Sequence, residues 1–165
     1  MKNRIFSTAM IAAVGVLTLG LASTAANAAT ASAPMAVSAT VQATCLISAN
    51  NLAFGNYSGV QLDATSNVSV TCTNTTPYNV GLNQGLATGA TVTTRQMQSG
   101  TNLLNYAIFS DTGRTTNWGN TVGSDTVAGT GTGSAQSISV YGRIAANQYV
   151  KPGAYTDTIT ATVNY

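Results

Sequence analysis

The sequence predicts an all-β fold, an antiparallel sandwich. Seven or eight short stretches alternate apolar and polar residues with a period of two, which is the signature of half-buried strands. Gly, Asn and Pro separate them, at the spacing of a sandwich rather than a helical protein. No stripe of helical period occurs beyond the first 28 residues.

Those first residues are read as a leader. Lys2 and Arg4 precede an apolar run from about Ala9 to Ala22, and Ala26-Asn27-Ala28 supplies a small-residue cleavage site. The pattern is that of a secretory signal peptide, residues 1–28. The run falls short of the roughly 20 residues that span a bilayer, and no second long apolar run follows, so no membrane span is expected in the mature chain.

The strands follow in order. Ala36–Ile47 places Val37, Ala39, Val41, Ala43 and Cys45 on one face, and the short Asn51–Gly55 carries Phe54. Asn67–Thr73 groups Val68, Val70 and Cys72, and Pro77–Asn83 groups Tyr78, Val80 and Leu82. ATVTTRQM (residues 90–97) and NLLNYAIFSD (102–111) come next, the second with Leu104, Tyr106 and Ile108 inward. QSISVYGRI (136–144) turns Ile138, Val140 and Ile144 inward. KPGA is a turn, with Pro152 pre-set for its second position and Gly153 for a positive φ. GAYTDTITATVNY closes the chain, with Tyr155, Ile159, Ala161, Val163 and Tyr165 on one face. GSDTVAGTGTGSA (123–135) reads as a flexible connection. It lacks the Gly-Lys-Ser/Thr of a phosphate loop and the helix that a dinucleotide loop needs.

Composition excludes several functions. Of six Lys and Arg, two lie in the leader, so four cations (Arg95, Arg114, Arg143, Lys151) face four anions (Asp63, Asp111, Asp125, Asp157). A neutral mature chain has no electrostatic footprint for nucleic acid. His and Glu are absent, which removes the usual base for a Ser or Cys nucleophile and the commonest metal ligand. Four scattered aspartates show no calcium-loop spacing. Asp111 and Asp125 flank a loop with Trp118, the only tryptophan. They are read as loop caps beside a packing aromatic rather than as a glycosidase pair. No enzyme, metal or cofactor is expected. Cys45 and Cys72 are the only cysteines, and in an exported chain they are expected to form one disulfide.

The closing strand raises the question of its partner. An immunoglobulin-like sandwich ends with a strand beside the one that occupies this position, and a long apolar edge left open is an aggregation site. Strand addition by another chain resolves it. The candidate donor is the mature N-terminus, residues 29–37, with Ala31, Ala33, Met35 and Val37 on one face. The domain proper is then residues 38–165.

At ATCLISANNLAFGNYSG, SVTCTNTTPYNVGLNQG, LLNYAIFSDTGRTTNWG and PGAYTDTITATVNY the chain resembles the spore coat protein U domain family, which includes pilins of archaic chaperone–usher pili. The resemblance spans about Val37 to Tyr165. It implies an incomplete immunoglobulin-like subunit, exported through the periplasm and completed by donor-strand exchange. A periplasmic chaperone, an outer-membrane usher and neighbouring copies of the chain or related pilins are the implied partners. The implied role is a shaft pilin of a cell-surface pilus used in adhesion and biofilm formation. The alternative is a secreted β-sandwich module that binds carbohydrate or a surface, with Trp118 and loop tyrosines stacking on a sugar ring.

Overall fold

A computed structural model describes residues 28–165. The expected leader therefore lies outside the described residues, apart from Ala28. The chain divides into two units, one ending at Ala39 and one running from Thr40 to Tyr165. Of the first, residues 28–39 are described; all are exposed and none is in a strand.

The second unit is all-β and antiparallel. Its strands are β1 (Cys45–Ala49), β2 (Leu62–Cys72), β3 (Pro77–Leu82), β4 (Arg95–Ser99), β5 (Asn102–Phe109), β6 (Val127–Thr130), β7 (Gln136–Ile144) and β8 (Ala161–Asn164). One sheet has the order β1-β2-β7-β5-β4, the other β6-β3-β8. The inward faces are those the alternation specifies. Val68, Val70 and Cys72 of β2 meet Tyr78, Val80 and Leu82 of β3, Leu104, Tyr106 and Ile108 of β5, and Val140 and Ile144 of β7 in one buried cluster. Outward residues alternate with them, as a pleat facing water on one side requires.

Several elements differ from expectation. The strand expected over Ala36–Ile47 begins only at Cys45, and residues 36–44 are exposed. Alternation makes them strand-competent, but they are paired in no strand. Asn51–Gly55 forms no strand, although Leu52 and Phe54 still turn toward the core. β2 starts at Leu62, five residues early, because β7 matches it in register from Leu62↔Ile144 onward. Residues 91–94 form a turn closed by Thr91 and Thr94, which delays β4 to Arg95.

The stretch read as a flexible connection contains β6. Gly129 lies against the Tyr78 ring and Gly131 against the Thr73 carbonyl, at a separation that leaves no room for a side chain. Gly129 and Gly131 therefore serve close packing, while Gly123 and Gly133 take positive φ in open turns. Gly153 does not take a positive φ; the left-handed residue in that region is Asn147, at φ 65°. The terminal strand pairs with β3 only over Ala161–Asn164, and Thr156 forms a lone bridge to Gln98 of β4.

Candidate functional site

The last segment of the chain runs past both sheets. Thr156 and Gln98 exchange both backbone bonds, at 2.8 and 3.0 Å, and Asn83 N–H donates to the Thr160 carbonyl at 3.1 Å. The backbone groups of Thr156 and Thr160 therefore point to one side, first to β4 and then to β3. Backbone bonding direction alternates along an antiparallel strand. The N–H and C=O groups of Ile159, Ala161 and Val163 consequently face the opposite side, which has no strand partner.

β1 has the same property. Thr73 N–H donates to Thr44 O and Asn50 N–H to Asn67 O, each at 3.0 Å, so even-numbered residues bond to β2. Cys45, Ile47 and Ala49 turn their backbone groups away from it. β1 and β8 lie near each other without sharing a ladder. Two free edges thus flank one gap.

The gap is a groove of about 540 Å³. Ala49–Leu52 form one wall and Tyr155–Ile159 with Ala161 the other, over a floor that includes Val68, Leu82, Ile108 and Val140. An apolar floor between two unpaired backbone edges suits one occupant well: an extended strand whose alternate side chains point down. A hollow of about 870 Å³ continues from the groove past Phe54, Met97 and Tyr155.

One end of the groove is held by a polar network. Tyr106 O–H donates to Asp157 Oδ2 at 2.7 Å. Asp157 Oδ1 accepts from Leu86 N–H at 2.8 Å and from Thr158 N–H at 2.7 Å. Burial, reinforced by the bond to Asp157, pushes the Tyr106 phenol above the usual tyrosine range. Arg95, the register partner of Tyr106, is fully buried. Its guanidinium donates to the carbonyls of Asn83, Val92, Leu82 and Trp118 at 2.7–2.9 Å. Desolvation lowers its pKa to about 10, so it stays charged at neutral pH. Sequence reasoning missed this residue, since an arginine in an alternating strand reads as surface.

The structure reassigns Trp118. It has no exposed surface, and its indole N–H donates to Val80 O at 2.8 Å. It cannot stack on a sugar, which removes the anchor of the binding-module reading. Asp111 accepts from Thr115 and Thr116 N–H at 3.0 and 2.6 Å, and Asp125 accepts from Thr121 N–H at 2.7 Å. Both are loop caps. Asp63 pairs with Arg143 at 2.8 Å and with Arg114 at 3.5 Å. Among the described residues no cluster of His, Cys, Asp or Glu could hold a metal ion. No helix among them is long and apolar enough to cross a membrane.

Cys45 and Cys72 are disulfide-bonded, as facing partners in the β1–β2 register. Of the candidate donor residues, Ala31, Ala33, Met35 and Val37 are all exposed.

Comparison with known proteins agrees with this geometry. Protein U of Myxococcus xanthus is 35% identical over 173 residues, covering 94% of this chain and 96% of that protein. Among solved structures, similarity is found to a chain of the CsuC–CsuE chaperone–tip adhesion subunit pre-assembly complex, from archaic chaperone–usher Csu pili of Acinetobacter baumannii. The TM-score is 0.57 at 26% identity over 76% of this chain, which spans 40% of the length of that one. The model of the Spore Coat Protein U domain matches residues 31–162. With the match covering nearly all of the described sandwich, the chain belongs to the Spore Coat Protein U domain family.

Proposed function

We propose that this protein is a subunit of a chaperone–usher pilus, a structural and non-enzymatic building block carried through the periplasm to the cell surface. Family membership and the likeness to the Csu complex chain support the pilus assignment. The observation that carries the assembly mechanism is the pair of free strand edges on β1 and β8, flanking an apolar groove. In the polymer, the N-terminal arm of one copy lies in the groove of the next. Such a contact is head to tail and propagates without closing.

The arm suits that role. Ala31, Ala33, Met35 and Val37 fall on one side, and the alternation continues through Ala39, Val41 and Ala43. Residues 28–44 are exposed throughout, with Met35 at 84% and Val41 at 85%. Extended, these residues reach about 55 Å, enough to follow the whole edge from Tyr155 to Val163. Pro34 is tolerated where its nitrogen faces away from the receiving edge.

In this reading the subunit occupies the shaft, with a periplasmic chaperone holding the groove before assembly and an outer-membrane usher as the exit. Adhesion and biofilm formation follow as the roles of the finished fibre. The test is deletion of residues 29–35 behind an intact leader, with surface fibres counted by electron microscopy. Loss of fibres with normal subunit levels is expected. Normal fibres would overturn the assignment of this arm as donor.

A further inference from the structure

We propose that Tyr106 and Asp157 are positioning residues that hold the groove ready to receive a strand, a role that rests on the donor-strand reading above. The segment between Thr156 and Thr160 has no ladder of its own. Its backbone is anchored at the two ends, by Gln98 and by Asn83, and residues 157–159 bridge the step from one sheet to the other. This bridge forms part of the groove wall. With the opposite edge empty, a segment so loosely tied would sag onto the apolar floor to cover it.

Asp157 prevents that. Its carboxylate is drawn outward by Leu86 N–H and inward by the Tyr106 hydroxyl, from two different elements. Tyr106 is itself closely packed. It is buried on β5, meets Phe54 edge to face at 5.9 Å, and sits beside the four-bonded Arg95. The loop on the other side is shaped for the same contact. Gly85 has φ +90°, and a Cβ there would fall on the Asp157 carboxylate. Only glycine lets Leu86 reach Asp157. Once a donor strand is seated, its ladder bonds to Ile159, Ala161 and Val163 hold the wall from the open side, and the carboxylate is no longer needed for shape.

This division of labour is testable on the full mature chain with a labelled synthetic peptide of residues 29–44. Tyr106→Phe removes one hydrogen bond to a charged group, an effect of about tenfold. Peptide association should slow by about that factor, while dissociation of the seated peptide changes less than twofold. Gly85→Ala, which displaces the Asp157 carboxylate while leaving Tyr106 and Asp157 themselves unsubstituted, should reproduce the effect. Without peptide, hydrogen exchange in Tyr106→Phe should rise at Leu86 and Thr158, whose N–H groups donate to Asp157, and stay unchanged in β2 and β7. A merely structural role predicts faster exchange throughout and a dissociation rate raised as much as association is slowed; that pattern overturns the proposal, as does unchanged exchange at Leu86 and Thr158. Failure of the wild-type chain to take up peptide is a separate result. It sinks the donor-strand reading, and with it the need for a receptive groove.

Discussion

Arg95 is bonded directly to Trp118: Arg95 Nη2 donates to Trp118 O at 2.7 Å, while the Trp118 indole N–H donates to Val80 O at 2.8 Å. Together they tie β4, the loop after β5 and β3 into one buried unit. Arginine suits this position because its rigid fork serves several acceptors at once.

Arg95→Met should therefore be strongly destabilising. It leaves the carbonyls of Asn83, Val92, Leu82 and Trp118 without their donor. The expected loss is about 2–4 kcal/mol, since more than one buried acceptor goes unpaired. Arg95→Lys should recover only part, because an ammonium on a flexible stem cannot reproduce the fork. Urea unfolding of the two variants, disulfide intact, measures both.

The bond between Cys45 and Cys72 should be present in the exported protein. Intact mass after thiol alkylation should show no alkylated cysteine without reductant and two with it. Closing a loop with a sequence separation of 27 residues contributes about 3–4 kcal/mol in the chain-entropy model. Replacing both cysteines by Ser should lower stability by an amount of that order.

Charges placed on the arm should block polymerisation without unfolding the sandwich. Met35→Asp and Val41→Asp each put a carboxylate where the donor face meets an apolar floor, at a cost of several kcal/mol if unpaired. Fibre yield should collapse in both, with circular dichroism of the soluble subunit unchanged. Ser38→Asp, on the polar face between them, is the control and should assemble normally.

Stability should be nearly flat between pH 5 and 8. No histidine is present to titrate there. The hydrogen bond from Arg143 holds Asp63 below the usual carboxylate range, and backbone N–H groups, Thr116 first, do the same for Asp111. A depressed carboxylate stabilises the fold above its unfolded pKa of about 4, and the contribution fades as pH falls through the folded value. Thermal midpoints should therefore drop only below about pH 4. Asp63→Asn should flatten part of that decline. At the alkaline end, the raised Tyr106 phenol keeps its contribution below about pH 10 and loses it above.

Much of this molecule was legible in its alternation. The inward faces of β2, β3, β5 and β7 were readable because each buries one side and wets the other. Three things were not. β6 depends on one glycine, Gly129, that packs against Tyr78, and glycine in sequence reads as freedom. The burial of Arg95 depends on carbonyls from three other segments, which no local pattern records. The arm is the most instructive case. Val37, Ala39, Val41 and Ala43 alternate as well as any strand in the fold, yet all are exposed. A period of two states that a segment can be a strand; it does not state which sheet, or whose, it will join.

The arm gives way to β1 at Thr44, and Cys45 follows at once. Tension pulling on the N-terminal side enters the sandwich at that residue. β1 is an edge strand, the kind that peels away most readily under load. Here its first residue is joined covalently to Cys72, the last residue of the neighbouring strand in the larger sheet. The pull therefore bypasses β1 and is shared by β2 and β7, whose nine-residue register must slide in shear before the domain can yield.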